Sequence, residues 1–100
     1  MFHRVTSVEE VLRLVALRRS RVEVRVELKP GILDAEAESI LKSLRLLGLA
    51  SLDGVSTARI YELDFSGLTE AEARARAQEA VDRLLANPVI HRVSIRPIAG

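Results

Sequence analysis

Leu28-Lys29-Pro30-Gly31-Ile32-Leu33-Asp34 is the stretch that decides how this chain folds. Before it, residues 21–29 alternate. Val22, Val24, Val26 and Leu28 fall on one side, and Arg21, Glu23, Arg25 and Glu27 on the other. A period of two describes a strand with one face buried. After it, Ala37, Ile40, Leu41, Leu44 and Leu47 recur at helical spacing. In between, Pro30 cannot donate to a strand ladder, and Gly31 gives the turn its conformational freedom. Asp34 can accept from the first helical amides, and Glu36 and Glu38 suit the positive end of the helix dipole. A strand therefore ends here and a helix begins.

The same reasoning extends in both directions. Upstream, residues 6–19 read as a short amphipathic helix. Ser7 and Glu10 fit a capping box, and Val8, Val11, Leu12 and Val15 form one stripe. Arg18 and Arg19 close its last turn. Downstream, Gly48 is the expected left-handed residue after the second helix, and Asp53-Gly54 marks a turn. Residues 55–65 are extended, with Tyr61, Leu63 and Phe65 on one face and Ile60, Glu62 and Asp64 on the other; a short strand at 55–57 could precede the main one. Thr69 and Glu72 make a second capping box, and Ala73, Ala77, Ala80, Val81 and Leu84 form the inner stripe of its helix. Asn87 is expected in the left-handed conformation that ends this helix, with Pro88 blocking continuation. The last strand covers 90–96, with Val93 and Ile95 inward and Pro97 confining it to an edge or closing it.

These elements define an α+β fold. It is a two-layer sandwich, β-α-β(β)-α-β, whose antiparallel sheet is covered on one face by two helices, with an extra N-terminal helix. Residues 1–20 form an extension and 21–100 the domain. If the first strand lies between the other two long ones, the polar sheet face pairs opposite charges: Arg25 with Glu62 or Asp64, and Glu23 or Glu27 with Arg92 or Arg96.

Composition limits the chemistry. With 48% hydrophobic and 3% aromatic residues, the core must be aliphatic and small. There is no cysteine, hence no disulfide or thiolate chemistry, which suits a cytoplasmic protein. Net charge is +1 and unevenly placed: residues 1–21 carry five arginines against Glu9 and Glu10, and the rest has a slight acidic excess. The body is not a polyanion binder, so no nucleic acid is expected, and no apolar run could span a bilayer. His3 and His91 stand alone, without metal-ligand spacing. No serine sits in a nucleophile elbow, and the five glycines are isolated at turns instead of clustered in a phosphate loop. Carboxylate pairs such as Glu36/Glu38 and Glu70/Glu72 complement helix dipoles. No catalytic constellation is present.

Leu28–Asp34, the Leu47-Gly48 pair, the extended Ile60-Tyr61-Glu62-Leu63 and the run Leu85-Ala86-Asn87-Pro88-Val89-Ile90 occur in an order and spacing that resembles the small-subunit (PurS) family of phosphoribosylformylglycinamidine synthase, from about Val22 to Ile98. The resemblance implies a non-catalytic subunit that binds no cofactor. In the complete enzyme a large synthetase subunit uses ATP and Mg²⁺, and a glutamine amidotransferase subunit releases ammonia from glutamine. The small subunit would be a homo-dimer or tetramer that bridges the two and assists ammonia transfer in purine biosynthesis. It marks Lys29, Pro30, Gly31, Asp34, Arg59, Asn87 and Pro88 as candidate interface or structural residues. Ala35 replaces the family's usual proline, and Ala58-Arg59 its Gly-Lys. The Pro-Gly-x-Leu after the first strand also resembles ACT domains, which bind amino acids as regulatory modules.

Overall fold

A computed structural model describes residues 7–98. The element order is α1 (Val8–Leu17), β1 (Arg19–Leu28), α2 (Ala35–Leu46), β2 (Ala58–Ser66), α3 (Glu70–Ala80) continuing into a π-helical turn (Val81–Leu85), and β3 (His91–Ile98). The expectations about His3 and about the Val15 side chain lie outside what is described.

The class is α+β, with one antiparallel sheet in the order β2-β1-β3. β1 is central and pairs along both of its edges. Val22, Val24 and Val26 are buried, and they face Leu63, Tyr61 and Arg59 of β2 and Pro97, Ile95 and Val93 of β3. No strand forms at 55–57. β3 runs through Pro97 to Ile98. The Lys29 amide bonds the Ile90 carbonyl at 2.9 Å, and this fixes the ladder parity. Every second residue of β3 from Arg92 then points its backbone at β1, so Pro97 has its missing N–H on the free edge, where no ladder bond is lost. On that same edge an Arg74 Nη1 donates to the Ile95 carbonyl at 2.9 Å. Arginine and proline together blunt the edge.

Among the described residues the core is a single cluster in which Ala73, Ala77 and Val81 of α3 meet the three valines, with Tyr61, Leu63, Phe65, Leu85, Val93 and Ile95 half-buried around it. Small alanines let α3 approach the sheet closely. Thr69 and Glu72 form the expected capping box, with the Glu72 amide donating to Thr69 Oγ1 at 3.1 Å. The C-terminal stripe differs from expectation. Leu84 is exposed, and Leu85 packs on the core instead. The Ala86 amide reaches the Val81 carbonyl across five residues, and this one-residue insertion rotates the last turn.

The expected cover of two helices is only half realised within the chain. α3 packs on the sheet, whereas α2 does not pack there to a comparable extent. Ala37 is buried and Leu41 and Leu44 are half-buried, but Ile40 is exposed and Leu46 and Leu47 are 89% and 80% exposed. The Cα radius of gyration is 20.5 Å, against about 13 Å for a compact chain of this length. Local signals made α2 helical, and its ends are well formed. Asp34 Oδ1 accepts from the Ala37 amide at 2.9 Å. Gly48, at φ 106°, completes a Schellman motif through Gly48 N–H to Arg45 and Leu49 N–H to Leu44. Amphipathicity shows that a face will be covered, but not by which surface.

Candidate functional site

The two informative stretches, 28–34 and 84–90, lie far apart in sequence and meet at one end of the sheet. Antiparallel pairing of β1 with β3 sets Leu28 opposite His91. Beyond the last pair, Lys29 Nζ donates to the Pro88 carbonyl at 2.6 Å. Pro30 and Gly31, the latter at φ 88°, then turn the chain toward α2.

Asp34 serves two partners. One carboxylate oxygen caps α2, and the other accepts from Thr57 Oγ1 at 2.6 Å. Thr57 lies immediately before β2, so the aspartate ties the start of α2 to the start of that strand. The Thr57 hydroxyl first, and the Ala37 amide second, hold the Asp34 carboxyl below its ordinary range. Lys29, Pro30, Gly31 and Asp34 line a shallow cleft of about 520 Å³ together with Thr57 and Arg92. Arg59 lines the adjoining hollow, with Asp34 and His91.

Asn87 behaves differently from expectation. No residue other than glycine has positive φ among the described residues. Instead, Asn87 Oδ1 accepts from the Val89 amide at 2.9 Å in an Asx turn, and the Asn87 carbonyl accepts from the Ile90 and His91 amides. The Asn87 amide donates to His91 Nδ1 at 2.8 Å. The following proline explains the change: its ring crowds the preceding residue and biases it toward extended backbone. The helix has already ended one residue earlier, at an extended Ala86.

All seven candidate residues therefore gather at one end of the sheet, and their polar atoms are largely used to hold joints. The Lys29 ammonium binds a carbonyl, Asp34 binds an amide and a hydroxyl, and Asn87 binds its own turn. No cluster of His, Cys, Asp and Glu able to hold a metal ion exists among the described residues. This end presents a shaped surface built from strand and helix joints. Sequence reading missed Thr57, because its partner lies 23 residues away and no local pattern links them.

The other extended surface is the polar face of the sheet. Arg96 Nε meets Glu23 at 2.5 Å, Arg92 Nε meets Glu27 at 2.8 Å, and Arg21 Nε meets Asp64 at 2.7 Å. The pairing expected between β1 and β3 is present. The one expected between Arg25 and β2 is not: Ile60 stands opposite Arg25, whose ion pair is with Glu27 on its own strand. Hydrogen bonds from Arg96 and Arg92 hold the Glu23 and Glu27 carboxyls below their usual range.

Residues 21–98 match the family described as PurS: Phosphoribosylformylglycinamidine (FGAM) synthase. The chain is 42% identical over 73 residues to the phosphoribosylformylglycinamidine synthase subunit PurS of Archaeoglobus fulgidus, covering 73% of this chain and 91% of that one. This chain belongs to the PurS family. The PurS subunit of Methanothermobacter thermautotrophicus is 40% identical over 82 residues, 79% of this chain and 95% of that protein. Among solved structures, Methanocaldococcus jannaschii PurS superposes with a TM-score of 0.71 at 29% identity, covering 79% of this chain and 95% of that chain. A chain of PurLQS from Thermotoga maritima has a TM-score of 0.74 at 18% identity, covering 82% and 100%, and shares the fold. The PurS assignment displaces the ACT-like reading. α1 lies before the matched region, and no helix among the described residues is long and apolar enough to cross a membrane.

Proposed function

We propose that this chain is a non-catalytic, cytoplasmic subunit of phosphoribosylformylglycinamidine synthase. It joins the synthetase and glutamine amidotransferase subunits and helps ammonia pass between them. ATP, Mg²⁺ and glutamine are bound by those other subunits, and this chain self-associates as a dimer or tetramer. The observation that carries the reading is the PurS match over 21–98, in a chain whose conspicuous residues are spent on joints. The uncovered aliphatic face of α2 supports self-association, because large exposed apolar patches mark interaction sites. Within this reading, residues 1–20 are an extension of a PurS domain, 21–100. Lys29, Pro30, Gly31, Asp34, Arg59, Asn87 and Pro88 shape the end of the sheet that a partner contacts.

Reconstitution tests it. The isolated chain should neither hydrolyse glutamine nor turn over ATP. Added to the other two subunits, it should raise glutamine-dependent amidine formation much more than ammonia-dependent formation. Equal loss of both rates on omitting it would overturn the bridging role.

A further inference from the structure

The polar face of the sheet gathers arginines around one serine. Antiparallel pairing sets Arg25 of β1 directly opposite Ser94 of β3, and Glu23 and Glu27 opposite Arg96 and Arg92. Side chains two residues apart on a strand share a face, so Arg92 and Arg96 flank Ser94 along β3. Facing pairs lie about 5.5 Å apart and diagonal ones about 7–8 Å. Three guanidinium groups on long stems therefore reach the space above one short hydroxyl. On the other side of Arg25 stands Ile60, and the acids of β2, Glu62 and Asp64, stand opposite Glu23 and Arg21 instead.

The charges are layered. The Glu23 and Glu27 side chains are 17% and 23% exposed, against 48, 61 and 71% for Arg25, Arg92 and Arg96. The acids lie against the sheet, and the guanidinium groups stand outermost. Glu27 and Glu23 hold Arg92 and Arg96 chiefly through Nε, which orients each fork and leaves other N–H donors unspent among the described residues. Arg25 is 3.6 Å from Glu27, beyond hydrogen-bond distance, so its donors are uncommitted among those residues. Ser94 is exposed, and its hydroxyl has no hydrogen-bond partner among the described residues. Three arginines against two glutamates leave the cluster with an excess of positive charge.

We propose that Arg25, Arg92, Ser94 and Arg96 form a binding site for a phosphate group. N–H donors converging from three directions, with an O–H beneath them, suit a tetrahedral oxyanion with several terminal oxygens. A carboxylate has two oxygens in one plane and would use the edge of a single guanidinium. The carrier of the phosphate is either the free inorganic ion or a phosphate monoester. One oxyanion needs only this local excess of charge, so the site agrees with a body that does not bind polyanions. It goes beyond the bridging role and does not rest on it.

NMR titration of the full, isotope-labelled chain tests it, with inorganic phosphate, ribose 5-phosphate and acetate at matched ionic strength. Both phosphates should shift the Arg25, Arg92, Ser94 and Arg96 amide signals saturably, and acetate should not. Tighter binding of ribose 5-phosphate names a monoester as the carrier, and tighter binding of inorganic phosphate names the free ion; either supports the site. Arg25→Gln leaves Glu27 its Arg92 partner and should raise the phosphate dissociation constant about tenfold. Arg83→Gln removes the same charge from the helix layer and should leave that constant unchanged. Shifts that fail to saturate, shifts that acetate reproduces, or equal weakening in both variants would show screening alone and overturn the site. An unchanged constant in a folded Arg25→Gln chain would also overturn it.

Discussion

Lys29 Nζ donates 2.6 Å to the Pro88 carbonyl, closing the end of the sheet where β1 stops and β3 starts. The side chain is exposed, and the backbone bond from Lys29 to Ile90 lies beside it. Lys29→Met keeps the aliphatic stem and the backbone bond but loses the charged donor. It should cost about 1 kcal/mol in urea denaturation. An unchanged midpoint would mean the clasp contributes nothing in water.

Asn87 offers a sharper test, because two local conformations give opposite results. In the Asx turn the side-chain oxygen matters, so Asn87→Asp should keep most of the stability while Asn87→Gly should lose about 1 kcal/mol. A left-handed residue would behave the other way and welcome glycine. Comparing the two denaturation midpoints decides it.

The capping box at the start of α3 anchors the helix that packs most extensively on the sheet among the described residues. Thr69→Ala removes the acceptor for the Glu72 amide and should destabilise by about 1 kcal/mol, whereas Thr69→Ser should be close to neutral. Hydrogen exchange in α3 should accelerate in the alanine variant.

The acid limb of stability follows from the lowered carboxyls. Glu23 is held down chiefly by Arg96, Glu27 by Arg92, Asp34 by Thr57 and Glu79 by Arg76. A carboxyl lowered in the fold stabilises it fully above its unfolded value, near 4, and the contribution fades as pH falls through the folded value. Thermal midpoints should thus be flat from about pH 7 to 5 and fall below about pH 4. Glu23→Gln should make that fall shallower. Salt should weaken the Glu23 and Glu79 contributions, whose arginine partners are exposed, more than that of Asp34, which is bonded to neutral groups.

Core packing gives the largest effect. Val24 is fully buried against α3, and Val24→Ala should cost about 2–3 kcal/mol. Leu46→Ser, at a position 89% exposed, should leave the stability of the dilute chain nearly unchanged. Calorimetry of both variants separates them.

What the sequence determined by itself is what short-range physics controls. The alternation of Val22, Val24 and Val26 required a half-buried strand. Thr69 with Glu72 required a helix start, and Gly48 a helix end. Each is a contact between residues a few positions apart, so one stretch of chain holds all the information. Resemblance in the 28–34 and 84–90 stretches also pointed to the PurS family that residues 21–98 match. One local signal worked against another: Pro88, the very next residue, made Asn87 an Asx turn instead of the expected left-handed residue. The tertiary structure decided what depends on more distant partners. A π-turn moved the core contact from Leu84 to Leu85, and Thr57 took the second oxygen of Asp34. Above all, α2 formed as its pattern required but left much of its apolar face uncovered. Amphipathicity states that burial is favourable, and it is indifferent to whether the covering surface belongs to the same chain.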